Sequence, residues 1–202
     1  MSSPRQEEIL DRTLELVRES GLAGLTIRRI AQRVGFTEAA VYRHFPSKKA
    51  LLAALVERLH GMLLDPIRAL AADRSRPARE RLADALAHHQ RVILETDSLP
   101  ILLLAEVVAT RDEELVGAMR SLLKDYLGVL EGLAREAGGG RVEATGELPA
   151  EALVLLLLGL PAALAIRHRL FPGQDPPAPV LAALTRRAIA AAIGGEGKET
   201  RR

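Results

Sequence analysis

"TIRRIAQRVGFTEAAVYRHF", residues 26–45, decides how the rest of the chain is read. Two short helical stretches, "TIRRIAQR" and "TEAAVYRH", flank a turn containing Gly35. Each opens on a threonine whose hydroxyl can cap free backbone N–H groups. Glycine suits the turn because it tolerates positive φ. This is helix–turn–helix spacing. In such a unit the second helix lies in the DNA major groove and its first residues reach base edges. The same pattern also suits a basic helical hairpin with a solvated charged face.

The side chains fit the first reading. Ala39 and Ala40 are small enough to let a helix backbone approach DNA, and a methyl group packs on the thymine methyl. Thr37 and Tyr42 offer hydroxyls to phosphates, and Thr26 joins them at the start of the first stretch. His44 and Lys48 are further phosphate donors, Lys48 near the start of the next helix, where an anion is favoured. Arg28 and Arg43 can pair bidentately with guanine, and Glu38 can accept from cytosine. Ile30, Val41 and Phe45 would hold the two helices together from behind. The whole chain has only two Tyr and three Phe, and Phe36, Tyr42 and Phe45 all fall within this run. Phe36 and Phe45 are expected to brace a small core, while Tyr42 presents its ring edge and hydroxyl to a sugar-phosphate strand.

Charge gathers at the same place. Residues 26–49 hold Arg28, Arg29, Arg33, Arg43, Lys48 and Lys49 against Glu38 alone, a local +5 in a chain of net +2. A polyanion would meet a basic face on an otherwise slightly acidic protein.

Local order is also encoded. Thr26, Thr37 and Ser47 are three caps in quick succession. The pairs Leu25 with Ile30, Phe36 with Val41 and Pro46 with Leu51 have the spacing of hydrophobic staples. Three such coincidences predict a cluster of short helices at set angles.

The run "GLTIRRIAQRVGFTEAAVYRHFPSKKALL" resembles the N-terminal domain of the TetR family of one-component transcriptional regulators. Thr26, Ile30, Ala31, Gly35, Tyr42, His44, Phe45, Lys48 and Leu51 match the family pattern. Phe36, Thr37, Ala39 and Val41 stand where that pattern has Val, Ser, Gly and Leu. Ala39 bears on which operator is read. The resemblance covers residues 5 to about 55. It implies an all-helical regulator, a repressor in most such proteins, that binds a palindromic double-stranded DNA operator. It also implies dimerisation through the last two helices and a pocket among the middle helices where a small molecule triggers release. "EAAVYRHFPSK" is also similar to the nucleoid-occlusion members of the family, which bind DNA and a cell-division protein; that alternative stays open.

Beyond this region the chain of 202 residues, 48% hydrophobic and 27% charged, reads as a folded, almost wholly helical protein. The fold class expected is all-α, about nine helices: a three-helix helix–turn–helix domain over 1–50, a helical ligand-binding and dimerisation bundle over 51–193, and a disordered tail over 194–202. Helices are predicted over 4–20, 47–70, 77–95, 98–109, 112–137, 150–171 and 178–193, with Gly61 and Pro66 bending or interrupting the second of these. A flexible loop is expected over 138–149. The segment 152–166 is apolar all round but short of the ~20 residues of a membrane span, and is expected to be a buried or interface helix. With the Ala-rich stretch 180–193 it suits a four-helix bundle across a two-fold axis, or else the monomer's own core.

The absence of Cys excludes disulfides and Cys-based metal sites and fits a reducing cytoplasm. The polar N-terminus lacks the apolar core of a secretory signal, and a cytoplasmic, nucleoid-associated location is expected. A helical-bundle enzyme is the remote alternative. Glu57-x-x-His60 has di-iron spacing but no second copy, and His88 and His89 point about 100° apart, so both suit a helix face better than a metal. No nucleophile elbow, phosphate loop or H-E-x-x-H run occurs. No cofactor, metal or membrane partner is expected. The pocket wall, rich in Leu, Val and Ala, favours an aliphatic or acyl effector, with Arg111, Tyr126, Arg167 and His168 as candidate polar anchors.

Overall fold

The computed structural model describes residues 3–138 and 150–193. Most of the expected loop over 138–149 and the whole tail over 194–202 lie outside them. Among the described residues the chain is helical and contains no strand. Helix α1 spans Pro4–Ser20, α2 Ile27–Val34, α3 Glu38–His44 and α4 Lys48–Ala72. Then come α5 Ala78–Glu95, α6 Leu99–Thr110, α7 Glu113–Gly138, α8 Ala150–Leu170 and α9 Ala178–Ala192.

The first helices begin and end where local chemistry dictates. Ser3 and Gln6 form a reciprocal capping box at the start of α1. Thr26, Thr37 and Ser47 each accept from the backbone N–H three residues on, at 3.2, 3.2 and 3.0 Å. Gly35 closes α2 at φ 77° and ψ 28°, left-handed values that cost a side-chain-bearing residue free energy. Of the three expected staples, Leu25 with Ile30 is buried outright and Phe36 is half-buried beside the buried Val41. In the third pair Pro46 is exposed and Leu51 is buried.

α1, α2 and α3 close on Ile9, Val17, Ile30, Val41 and Phe45, all essentially buried. The Arg5 guanidinium lies 5.5 Å from the Phe36 ring centroid and clips α1 to the α2–α3 turn. The division expected at residue 50 falls inside α4, whose first two turns supply Leu51, Leu52 and Leu55 to one apolar cluster continuous with the rest of the molecule. Arg58 of α4 binds Glu7 and Asp11 of α1, strapping the two helices together.

α4 packs on α5 and α7, and α5 in turn on α7, α8 and α9. α4 runs unbroken through Gly61 and Pro66, so neither residue interrupts it. Proline lacks the N–H that would reach the Met62 carbonyl four residues back. His88 of α5 takes that place, its Nε2 standing 2.8 Å from the Met62 oxygen. Arg81, fully buried, donates to the Ala71 and Arg76 carbonyls and pairs with Glu136 of α7. It thereby pins the C-terminal end of α4 against α5 and α7.

α8 is longer than its apolar run, 21 residues with Pro161 inside, and is long and apolar enough to cross a membrane. One stripe, including Leu153, Val154, Leu157 and Leu164, is buried against the bundle. Another, with Leu155 and Ile166, is 66% and 57% exposed. On α9, Val180 and Leu184 are also exposed. The two last helices thus carry apolar surface that the single chain does not cover.

Candidate functional site

Two places in the fold offer chemistry: the outer face of α3 with the helix starts around it, and a cavity among α4–α8. Val41 and Phe45, four apart, anchor α3 inward. Glu38, Ala39, Tyr42 and Arg43 therefore face solvent, and Tyr42 is 46% exposed. Ala40 and His44 are half-buried at the margin, and the His44 carbonyl accepts from Gln6 of α1. Thr26, Arg28 and Thr37 of the helix–turn–helix unit are exposed as well. The capping threonines use lone pairs toward backbone N–H groups and keep their hydroxyl protons for an outside acceptor. Arg28, Glu38, Tyr42 and Arg43 form no side-chain hydrogen bond or ion pair with any described residue. They stand free for a partner.

The other four cations of the basic run are engaged within the chain, three of them by carboxylates from outside residues 26–49 that offset part of the local +5. Arg29 donates to Ser20 Oγ and the Gly24 carbonyl at 2.9 and 2.8 Å. Arg33 pairs with Glu15 and Glu19. Lys49 binds Glu114 and Asp112 at 2.7 and 2.9 Å, and those carboxylates raise its ammonium pKa above the ordinary value. Lys48, expected as a phosphate donor, has its Nζ 2.6 Å from Glu106 Oε1 of α6. A lysine so held must leave its carboxylate before it can reach a phosphate.

The cavity has a volume of about 330 Å3. Leu59 and Leu63 of α4, Ile93 of α5 and Met119 of α7 form its buried depth. Leu104 of α6 and Leu123 of α7, both partly exposed, stand at its rim, and Leu158 of α8 closes one side. Pro100 and Ile101 bring the first turn of α6 into the wall. That turn follows a corner in which Asp97 and Ser98 both take left-handed φ, 51° and 66°. α8 holds the corner: Ser98 Oγ donates to the Ala165 carbonyl at 3.0 Å, and Asp97 pairs with His168 and Arg169.

The lining is apolar except at one point. His89 of α5 and Tyr126 of α7 meet at 2.7 Å between Nδ1 and the phenol oxygen, their rings edge to face. Burial, helped by the neighbouring His88, pushes His89 down to about 4, so the ring is neutral at physiological pH. Burial also pushes the Tyr126 phenol well above its usual value, so it keeps its proton. Although the His89 ring has accessible surface, that surface looks onto an apolar cavity, and the low dielectric there acts as burial does.

Tyr126 is the one expected anchor that lines the cavity. The other three do not. Arg111 caps the end of α6, exposed, at φ 56°. Arg167 donates to the Gln174 carbonyl and lies over Phe171. His168 sits between Asp97 and Asp175, 3.3 and 2.6 Å away. Arg167 and His168 are consumed by the α5–α6 corner and the α8–α9 turn, while Arg111 stands at the α6–α7 connection. Sequence reasoning misses His89 because the adjacent pair His88–His89 reads as polar. Its place four residues before Ile93 and seven after Leu82, on the buried stripe of α5, is the available signal. Among the described residues no cluster of His, Asp and Glu is arranged to hold a metal, and Glu57 and His60 gain no partners for one.

Comparison with known proteins covers the two regions differently. Residues 9–55 match the family model described as bacterial regulatory proteins, tetR family. A nucleoid occlusion factor SlmA from Marinobacter nauticus is 47% identical over 53 residues, 26% of this chain and 27% of that protein. The fatty acid metabolism regulator protein of Bacillus subtilis is 24% identical over 133 residues, 66% of this chain and 68% of that one. The solved structure of the regulator FadR from Bacillus subtilis in complex with stearoyl-CoA superposes with a TM-score of 0.72 at 20% identity, covering 95% and 99% of the two chains. The chain thus spans about a quarter of the length of that SlmA and about two thirds of the fatty acid regulator, while the whole fold is shared with the solved regulator. Residues 9–55 thus form the helix–turn–helix unit of the tetR family of bacterial regulatory proteins, and the helical body behind it has the fold of a solved TetR-family regulator.

Proposed function

We propose that the protein is a repressor that binds a palindromic operator as a homodimer and is released by a small aliphatic effector. The observation that carries this reading is the apolar cavity of about 330 Å3, whose wall includes the same helix, α6, that holds Lys48 through Glu106. Its size lies within the ~300–1,000 Å3 of small-molecule sites. The exposed apolar stripes of α8 and α9 support dimerisation across a two-fold axis, which matches a palindrome's symmetry.

On this reading Arg28, Arg43 and Glu38 read base edges. Ala39 and Ala40 permit close approach, and Thr26, Thr37, Tyr42, His44 and Lys48 position the unit on phosphates. The two copies of α3 must then lie about 34 Å apart, one helical turn of DNA. A ligand that displaces α6 and α4 alters that separation. The relative solved with stearoyl-CoA supports a lipid-like effector class.

The test is selection of genomic DNA by the purified full-length protein, followed by gel shifts on the selected site with aliphatic compounds added. A palindrome bound by a dimer and released by one compound class is expected. Failure to enrich any sequence would overturn the proposal. The likeness to SlmA favours a second reading, division control through a protein partner, but it spans only 53 residues in one such protein and 81 in another. Operator binding indifferent to every compound, together with binding to a division polymer, would select it.

A further inference from the structure

We infer that the effector is an uncharged aliphatic molecule of about a dozen non-hydrogen atoms carrying one hydrogen-bond-accepting oxygen, which it delivers to His89 Nε2 at the deep end of the cavity. This rests on the ligand-gated reading above and narrows it.

The size follows from comparison. A cavity of ~150 Å3 lined by aliphatic side chains takes up benzene; one of about 330 Å3 holds roughly twice as many atoms. A stearoyl chain exceeds that capacity.

The chemistry follows from counting protons. His89 Nδ1 and the Tyr126 oxygen share one hydrogen bond, and neither group has a second partner among the described residues. If Tyr126 donates to Nδ1, the phenol proton is satisfied and His89 carries its own proton on Nε2, the only unmet group. If His89 donates from Nδ1 instead, the phenol proton and Nε2 are both left unmet. Leaving a buried polar group unpaired is costly, so the first arrangement is preferred. Nε2–H is then a donor with no protein acceptor. It is not sealed in the packing, because the Asp175 Oδ1 atom is the only buried side-chain oxygen or nitrogen left without a partner among the described residues. The ring lines the cavity, and the cavity is where that donor finds an acceptor.

Charge is excluded by the same wall. No Lys, Arg, Asp or Glu lines the cavity. A carboxylate would need a protonated His89, and with the ring at about 4 only roughly one molecule in a thousand offers one at neutral pH. Apparent affinity falls by that fraction. Tyr126 lies at the buried end and Leu104 and Leu123 at the rim, so the oxygen enters first and the hydrocarbon trails toward the opening.

The experiment titrates the full-length protein with decan-2-one, 1-decanol, n-decane, decanoate and decanoyl-CoA. Binding is read by calorimetry and DNA release by anisotropy of a labelled operator. The ketone and the alcohol are expected to bind about 3- to 10-fold tighter than the alkane, the worth of one neutral hydrogen bond, and decanoate more weakly than either. His89→Phe should erase the ketone-over-alkane preference while keeping alkane binding, which a collapsed cavity would not. Tyr126→Phe frees Nδ1 and should reduce the preference partway. Decanoate or decanoyl-CoA binding as tightly as the ketone, an unchanged preference in His89→Phe, or no binding by any probe would overturn the inference. Release of DNA by every probe alike would keep ligand gating and sink only the role of His89. Selective ketone binding without release would do the reverse.

Discussion

Replacing Glu106 by Gln tests whether the ion pair between α6 and α4 holds a DNA-contacting lysine in reserve. Lys48 Nζ lies 2.6 Å from Glu106 Oε1, with the lysine side chain half exposed and the glutamate about a quarter exposed. Pairs of that exposure are worth roughly 0.2–1 kcal/mol. Each protomer must give up this amount when Lys48 turns to a phosphate, so a dimer gives up roughly 0.4–2 kcal/mol. Glutamine keeps the shape of Glu106 and removes its charge. Operator affinity should therefore rise about 2- to 30-fold at 25 °C. The assay is fluorescence anisotropy of a labelled operator across a salt series. The gain should vanish in a Lys48→Ala background, where the slope of log K against log salt should flatten by about 0.9 for each phosphate that is no longer neutralised. The reasoning is refuted if Glu106→Gln leaves affinity unchanged, or if the gain survives without Lys48.

Three further outcomes are expected. Arg43→Ala, like Arg28→Ala, should weaken operator binding by roughly 1–3 kcal/mol and relax the base preference at one position of each half-site; an unaltered preference profile from DNA selection removes that arginine from the base-reading set. His89, held at about 4 in the folded protein against 6.5 unfolded, takes its proton earlier in the unfolded chain as pH falls. Its contribution to stability is whole above pH 6.5 and is lost toward pH 4, up to about 3 kcal/mol, and His89→Gln should flatten the urea-denaturation profile across that window by a similar amount. His88→Ala should cost about 1–2 kcal/mol by stranding the Met62 carbonyl, and much less in a Pro66→Ala background, where the restored N–H of residue 66 serves that oxygen; an equal cost in both backgrounds in a double-mutant cycle would show that His88 acts elsewhere.

The N-terminal region is legible in the sequence because its information is local. A threonine cap, a glycine with positive φ and an apolar residue at the fourth helical position act within five residues of one another. Thr26, Thr37, Ser47 and Gly35 all do in the structure what their spacing implies. The outward face of α3 follows from Val41 and Phe45 for the same reason. Pairing between helices distant in the chain is not legible in this way. Lys48 and Glu106 are 58 positions apart, and nothing near either predicts the other. The same holds for His88 and the Met62 carbonyl, a contact that exists because Pro66 vacates an acceptor one helix away. The candidate anchors Arg111, Arg167 and His168 share only polarity near apolar runs. A helix end or a corner consumes such groups as readily as a cavity does. Tyr126 lines the cavity because it falls on the stripe Met119–Leu122–Tyr126–Leu130 that faces the bundle.

α6 joins the two places with chemistry. Its first turn supplies Pro100 and Ile101 to the cavity wall, Leu104 stands at the rim, and Glu106 half a turn on holds Lys48. Just past its end, Asp112 and Glu114 hold Lys49, and α6 also packs on the turn after α1. A ligand shifts an equilibrium only by its difference in affinity for the two states. The ion pairs are exposed, and at roughly 0.2–1 kcal/mol each they supply modest coupling. Moving a regulator from almost wholly bound to almost wholly free takes about 5.5 kcal/mol. The lysine pairs therefore tune release, and the larger share must come from turning two rigid, cross-strapped N-terminal units out of register with successive grooves. Arg58 against Glu7 and Asp11, and Arg5 over Phe36, make each unit stiff enough to be turned as a body. An Arg58→Ala variant that still bound operator but no longer let go of it on adding effector would locate the coupling in that strap.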